Sequence, residues 1–200
     1  ISMTLGMGDK KKANEIFSLL TWVCIIGGIV LTALSMVFMR PVAILLGATG
    51  QMLEDCVTYG MIVQLALTAY ILQYAFQSFC VAAEKPNLSL TMMVVAGVCN
   101  ILLDALFVAV FRWGLVGAAV ATTIAQITGA IIPIVYFICP NSSLLRLGKC
   151  RFDGKALLRT FTNGASELMS NLSMSLVSML YNLQLMAWAG EDGIAAYGVI

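Results

Sequence analysis

Histidine is absent from this 200-residue chain, and charge is scarce. Without histidine the usual general base and the usual nitrogen ligand for a metal are both missing. Only 10% of the residues are charged, against about a quarter in soluble domains. The net charge of +1 leaves no basic surface for nucleic acid. The six cysteines, Cys24, Cys56, Cys80, Cys99, Cys139 and Cys150, include no CxxC pair and no metal-ligand spacing. They read as small packing residues, and no cofactor is expected. No nucleophile–base pair or zinc-ligand cluster is present either, so the chain does not read as an enzyme.

What remains is overwhelmingly apolar. Hydrophobic residues make up 60% of the chain, and a mean hydropathy of +0.95 places it among multi-spanning membrane proteins. Apolar runs of the roughly 20 residues that a bilayer requires occur at 13–38, 57–83, 88–111, 115–139 and 161–189. Arg40-Pro41 is expected to end the first, with 42–46 a short continuation. Glu84-Lys85-Pro86-Asn87 breaks the second from the third, because proline cannot donate to a helix. Pro133 is expected to kink the fourth. Gly190-Glu191-Asp192-Gly193 is expected to turn, with a further helix beginning at Ile194. Ile1 reads as part of a helix end and Ile200 as part of a new helix, so the chain is expected to be a piece of a longer one.

Alternate loops should lie on one side of the membrane. Lys10, Lys11, Lys12, Lys85, Arg146, Lys149, Arg151, Lys155 and Arg159 fall in one set, and only Arg40 and Arg112 in the other. Nine of the 11 basic residues thus share a side, which the positive-inside rule makes cytoplasmic.

The stretch Asn100-Ile-Leu-Leu-Asp104 puts a carboxylate inside an apolar helix. A charge at the bilayer centre costs at least about 2.5–3.5 kcal/mol, so Asp104 needs a partner, a wet cavity or a proton. Asn100 lies four residues away and shares its face. Burial raises a carboxyl pKa toward the working range, which suits a group that exchanges a proton or holds a cation. In the second span Gln73 and Gln77 share one face and Gln64 pairs with Thr68, and such amides suit uncharged recognition or helix contact. The fifth span carries a polar stripe, Asn163, Glu167, Asn171, Ser175, Ser178 and Asn182, spaced mostly by four. That face must meet protein or water. Gly117, Ala121, Ala125 and Gly129 form a ladder of small residues for close helix contact, with Gln126 beside it. The twelve methionines read chiefly as packing or as a soft surface for varied apolar ligands.

Gly6-Met7-Gly8-Asp9 matches the GxGD pattern of intramembrane aspartyl proteases, but Asp9 abuts three lysines at a water-exposed turn, where that chemistry has no place. No strand precedes these glycines, so they are no dinucleotide fingerprint. The same run with Lys12-Ala13, together with Asn100-Ile-Leu-Leu-Asp104-Ala-Leu-Phe107, Gly114-Leu-Val-Gly117-Ala-Ala-Val-Ala-Thr122 and Gly190-Glu-Asp-Gly-Ile-Ala-Ala-Tyr-Gly198, resembles the multidrug and toxic compound extrusion (MATE) family. The resemblance spans the whole chain.

It implies an all-α, polytopic membrane helix bundle, a fragment of a twelve-helix, two-bundle transporter in the cytoplasmic membrane. Residues 1–139 would supply most of the N-terminal bundle, from the end of the second helix to the sixth. Residues 140–160 would be the cytoplasmic basic bridge, and 161–200 the seventh helix and the start of the eighth. The resemblance implies export of cationic or amphiphilic small molecules in exchange for Na+ or H+, by a protein that is monomeric when complete and has membrane lipid around it. Asp104 matches an acidic position in the family's fifth helix. Glu167 lies nearer the cytoplasmic end of the seventh than the glutamate some members use, and Ala165 follows Gly164 where a proline often stands. Asp104 and Glu167 are therefore the candidates for ion coupling. Asn100, Gln64, Gln73, Gln77, Asn163, Asn171 and Ser178 are the candidate cavity lining. A lipid-linked saccharide flippase would need cations within its spans, which hold almost no Lys or Arg. A scaffold without a transport cycle would pair its polar stripes fully.

Overall fold

A computed structural model describes the backbone of residues 1–45, 50–139, 143–148, 150 and 152–199, with side chains at all of these but 182–183, 186–187 and 189–199. Among the described residues every regular element is helical. The chain divides into two units, Ile1–Phe152 and Asp153–Ile200.

In the first unit a short helix α1 (Ser2–Gly6) leads through Gly8, at φ +81°, into α2 (Lys10–Leu45). Asp9 caps α2, its Oδ1 accepting the Lys12 N–H at 3.1 Å. The helix does not stop at Arg40-Pro41 as the sequence suggested; it runs through Pro41 to Leu45. The proline removes a backbone donor, but the last turn is held from outside. Arg40 pairs with Glu54 of α3 at 2.8 Å, and Ala43 packs on Val57 and Leu53.

The second expected span is two helices, α3 (Gly50–Gln64) and α4 (Leu67–Ala82), bent by 51°. At the break Leu65 and Ala66 donate three residues back, to the carbonyls of Ile62 and Val63. The hydroxyl of Thr123 on the sixth helix shares its one proton between its own Ala119 carbonyl at 2.8 Å and the Ile62 carbonyl at 3.1 Å. From the other side Ser35 of α2 donates to Gln64 Oε1 at 3.0 Å, and the Thr32 and Thr68 hydroxyls meet at 3.2 Å. The bend is therefore held by side chains of two neighbouring helices, with no proline or glycine at the break.

Helix α5 (Pro86–Asp104) starts on its proline, where a missing N–H costs little. After Asp104 the chain widens into a π-helix, Ala105–Val110. Arg112 and Gly114, both at φ 55°, then turn it into α6 (Gly114–Ile138). Phe107, Phe111 and Trp113 stack across this turn. Pro133 lies buried within α6.

The core sits where α2, α4 and α6 meet, around the interlocked rings of Phe17, Phe76, Phe79 and Phe137. Part of the stretch read as a loop belongs to it. Leu145 is fully buried, Leu147 N–H donates to the Phe137 carbonyl, and the N–H groups of Arg146 and Gly148 donate to Asn14 and Ser18 of α2 at 3.0 Å each. Residues 46–49, Pro140, Lys149 and Arg151 lie outside the described residues.

The second unit is one helix, α7 (Gly154–Val199). It begins inside the expected bridge because Asp153 caps it, accepting the N–H groups of Lys155 and Ala156. Its backbone stays helical through 190–193, where a turn was expected; a glycine within a helix costs only about 1 kcal/mol, and the apolar run from Ile194 continues it. Among the described residues three helices, Lys10–Leu45, Pro86–Val110 and Gly114–Ile138, are long and apolar enough to cross a membrane, and the bent pair α3 and α4 is so when its two helices are taken together. Among the described residues α7 does not reach that apolarity, as its polar stripe dictates.

Close helix contact is testable at Gly28. A Cβ there would stand 2.9–3.1 Å from Thr68, including its Cα, whereas one at Gly27 would meet nothing within 4 Å. Overpacking of this kind costs about 1–3 kcal/mol. Gly28→Ala will lower the heat-unfolding midpoint of the detergent-purified protein, and Gly27→Ala will leave it unchanged.

Candidate functional site: an amide-lined cleft and a membrane-embedded acid

The small residues of α5 and α6 open a cleft of about 240 Å³ between α4, α5 and α6. Ala96, Gly97 and Ala125 supply the space, and four polar side chains converge on it: Gln73 and Gln77 from α4, Asn100 from α5 and Gln126 from α6. Thr122, one turn before Gln126, lies 3.5 Å from Asn100 Nδ2, a long hydrogen bond. The lining contains no charged side chain and no aromatic ring. Such a site recognises ligands by hydrogen bonds and shape. Buried polar groups are nearly always paired, yet Gln73 Oε1 and Gln126 Oε1 are occluded without a hydrogen-bond partner.

The ladder on α6 controls how closely its neighbours approach. Gly117, Ala121, Ala125 and Gly129 are all buried. A Cβ on Gly117 would stand 3.1 Å from the backbone of Phe107, so the π segment lies directly against α6. A Cβ on Gly129 would stand 2.8 Å from the amide of Gln73.

Asp104 lies at the junction of α5 with the π segment, half-buried, and its Oδ1 is occluded with no hydrogen-bond partner among the described residues. It does not line the cleft, which reaches Asn100 one turn away. The sequence placed the acid and Asn100 on one internal cavity; the structure gives the cavity to Asn100 alone. Both residues lie within α5, and the cleft ends at Asn100, one turn short of the acid.

Of the other candidate lining residues, Gln73 and Gln77 are brought together with Asn100, while Gln64 is engaged by Ser35 at the helix break. Asn163, Glu167, Asn171 and Ser178 lie exposed on α7, within the second unit. The side chain of Asn182 lies outside the described residues. Thr122 was not recognised as lining and Gln126 was read only as helix contact. Their four-residue spacing puts both on one face of α6, and the neighbouring α5 makes that face part of the cleft. A larger apolar hollow of about 570 Å³ lies at the junction of α2 and α3, where Asp55 is the only charged residue of the lining and Met39 and Met52 contribute their side chains. It lacks the converging polar groups of the cleft. Among the described residues no cluster of acids and cysteines could hold a metal ion.

The MatE family model matches residues 1–106. The multidrug export protein MepA of Staphylococcus saprophyticus is 26% identical over the whole chain, and that of Staphylococcus aureus strain MSSA476 is 29% identical. The chain spans 44% of the length of these curated relatives. A multidrug resistance MATE family transporter of the MOP superfamily, solved in an inward-facing conformation, superposes with a TM-score of 0.89 at 20% identity, over 98% of this chain and 45% of that one. A MOP superfamily transporter from Pyrococcus furiosus, described as having a binding pocket of reversed polarity, superposes equally well, at 20% identity over 98% of this chain and 44% of its own.

Breaking a buried ion pair costs about 3–5 kcal/mol, so the heat stability of Asp104→Asn separates a helix staple from an unpaired acid. With Oδ1 unpartnered, the variant will unfold at the same temperature as the parent or higher. A pronounced fall would identify Asp104 as a staple.

Proposed function

Because the chain belongs to the MatE family, we propose that it supplies helices of an ion-coupled antiporter that exports cationic or amphiphilic compounds across the cytoplasmic membrane. The observation that carries the reading is Asp104, a carboxyl group on a membrane-length apolar helix with one occluded oxygen that has no hydrogen-bond partner among the described residues. A group retained at that cost, without a structural partner, is explained by a proton or Na+ that it takes up and releases. An ion shifts a conformational equilibrium only by binding one state better than the other. Asp104 meets that condition if it faces cytoplasmic water in one state and the opposite side in the other.

The cleft is the companion element. Its amides and the hydroxyl of Thr122 would hold the polar part of a substrate, while Met93 and the alanines accept its apolar part. Ion and cargo would then occupy adjacent, non-identical places, linked along α5 by the single turn from Asn100 to Asp104. Glu167 and the polar face of α7, with Asn163, Asn171 and Ser178, are a second candidate wall of the pathway. The flippase reading is not favoured, because a phosphate-bearing cargo calls for cations and the cleft lining has none. A passive scaffold is disfavoured by the cleft itself and by its unpaired amides.

The test is dye efflux from membrane vesicles carrying the complete coding sequence that contains this chain, under proton and sodium gradients applied separately. One gradient alone will drive efflux, and Asp104→Asn at equal abundance will abolish it. Efflux that survives the substitution would remove Asp104 from the coupling step.

A further inference from the structure

We propose that Gly129 sets the size of substrate the cleft accepts, acting through Gln73; the inference rests on the reading that this cleft receives cargo. Cδ, Nε2 and Oε1 of Gln73 are all 2.8 Å from the position of a Cβ at residue 129. Equal distances to three atoms of one planar group mean that the amide lies flat on α6, seated where a side chain would otherwise be. Contacts under 3.0 Å do not occur for real Cβ atoms, so any residue larger than glycine displaces the amide.

The direction of displacement follows from the packing. Gln73 is 9% exposed, and its neighbours Leu72 and Phe76 on α4 are buried. The open space beside it is the cleft that it lines. No hydrogen bond at Oε1 holds the amide back, so its resting place depends on the shape of Gly129. A methyl group at 129 therefore swings the Gln73 head into a space of about 240 Å³ that Gln77, Asn100 and Gln126 already border. The cleft lining has no charge and no ring to compensate by ion pairing or stacking, so lost volume translates directly into lost affinity for bulky cargo. Gly129 is thus a specificity-determining residue without contact to cargo, and Gln73 is the group through which it acts.

The experiment measures efflux kinetics in vesicles for a compact organic cation, N-methyl-4-phenylpyridinium, and a bulky one, tetraphenylphosphonium, using the complete protein. Gly129→Ala will raise the KM for the bulky cation by about tenfold relative to the compact one, with kcat changed much less. Adding Gln73→Ala to that variant will return the ratio to the parent value or below it. Gln73→Ala alone will lower the ratio, which decides the question if Gly129→Ala does not accumulate. An equal loss for both cations, a ratio that Gln73→Ala does not rescue, or an unchanged ratio in Gln73→Ala alone would overturn the proposal. Absence of transport by the parent protein is a separate result, and would overturn the functional reading on which the inference stands.

Discussion

Inside a bilayer the chain must answer its own polar groups, because the hydrocarbon offers none. That constraint explains where this structure departs from regular helices and what lies at each departure. The break between α3 and α4 frees carbonyls, and Thr123 reaches across from α6 to take one of them. The hydroxyls of Thr32 and Ser35 meet Thr68 and Gln64 on either side of the same break. Against this background of satisfied groups, the few left over are informative. Among the described residues they are the side-chain oxygens of Gln73, Gln126 and Asp104, two at the cleft and one a turn beyond Asn100. In the proposed antiporter reading, these are the groups that would meet the ion and the solute.

The closeness of α6 to its neighbours is what gives the hollow its shape. Glycine at 117 lets the π segment rest against α6, and glycine at 129 gives Gln73 a seat. Between them Ala121 and Ala125 keep α6 near its neighbours without filling the gap. The same small residues that tighten the bundle therefore also decide which side chains project into the cleft. Packing and recognition are two effects of one stripe.

Much of this was legible in the sequence, since apolar runs of bilayer length and the one-sided distribution of Lys and Arg need no tertiary information. The face shared by Gln73 and Gln77 followed from helical spacing alone. The bend at Leu65 and Ala66 was not legible, because neither residue breaks helices and the side chains that meet it come from two other helices. The π segment Ala105–Val110 is uniformly apolar, so its composition does not mark the change of pitch that follows Asp104. Pro41 misled in the opposite direction. The helix continues past it, with Arg40 paired to Glu54 and Ala43 packed against α3, both of them contacts across helices. Thr122 and Gln126 join Asn100 only because α6 lies beside α5, and spacing along one helix carries no information about which helix stands next to it.

The elbow at residues 65–66 has a mechanical consequence. Its lower limb is tied to α2 by Ser35 and to α6 by Thr123, and its upper limb to α2 by Thr32, so straightening it would strip three fastenings at once. It is a bracket more than a joint. Gln73 and Gln77 ride on the limb beyond it, so the angle these contacts brace sets where both amides stand against α6.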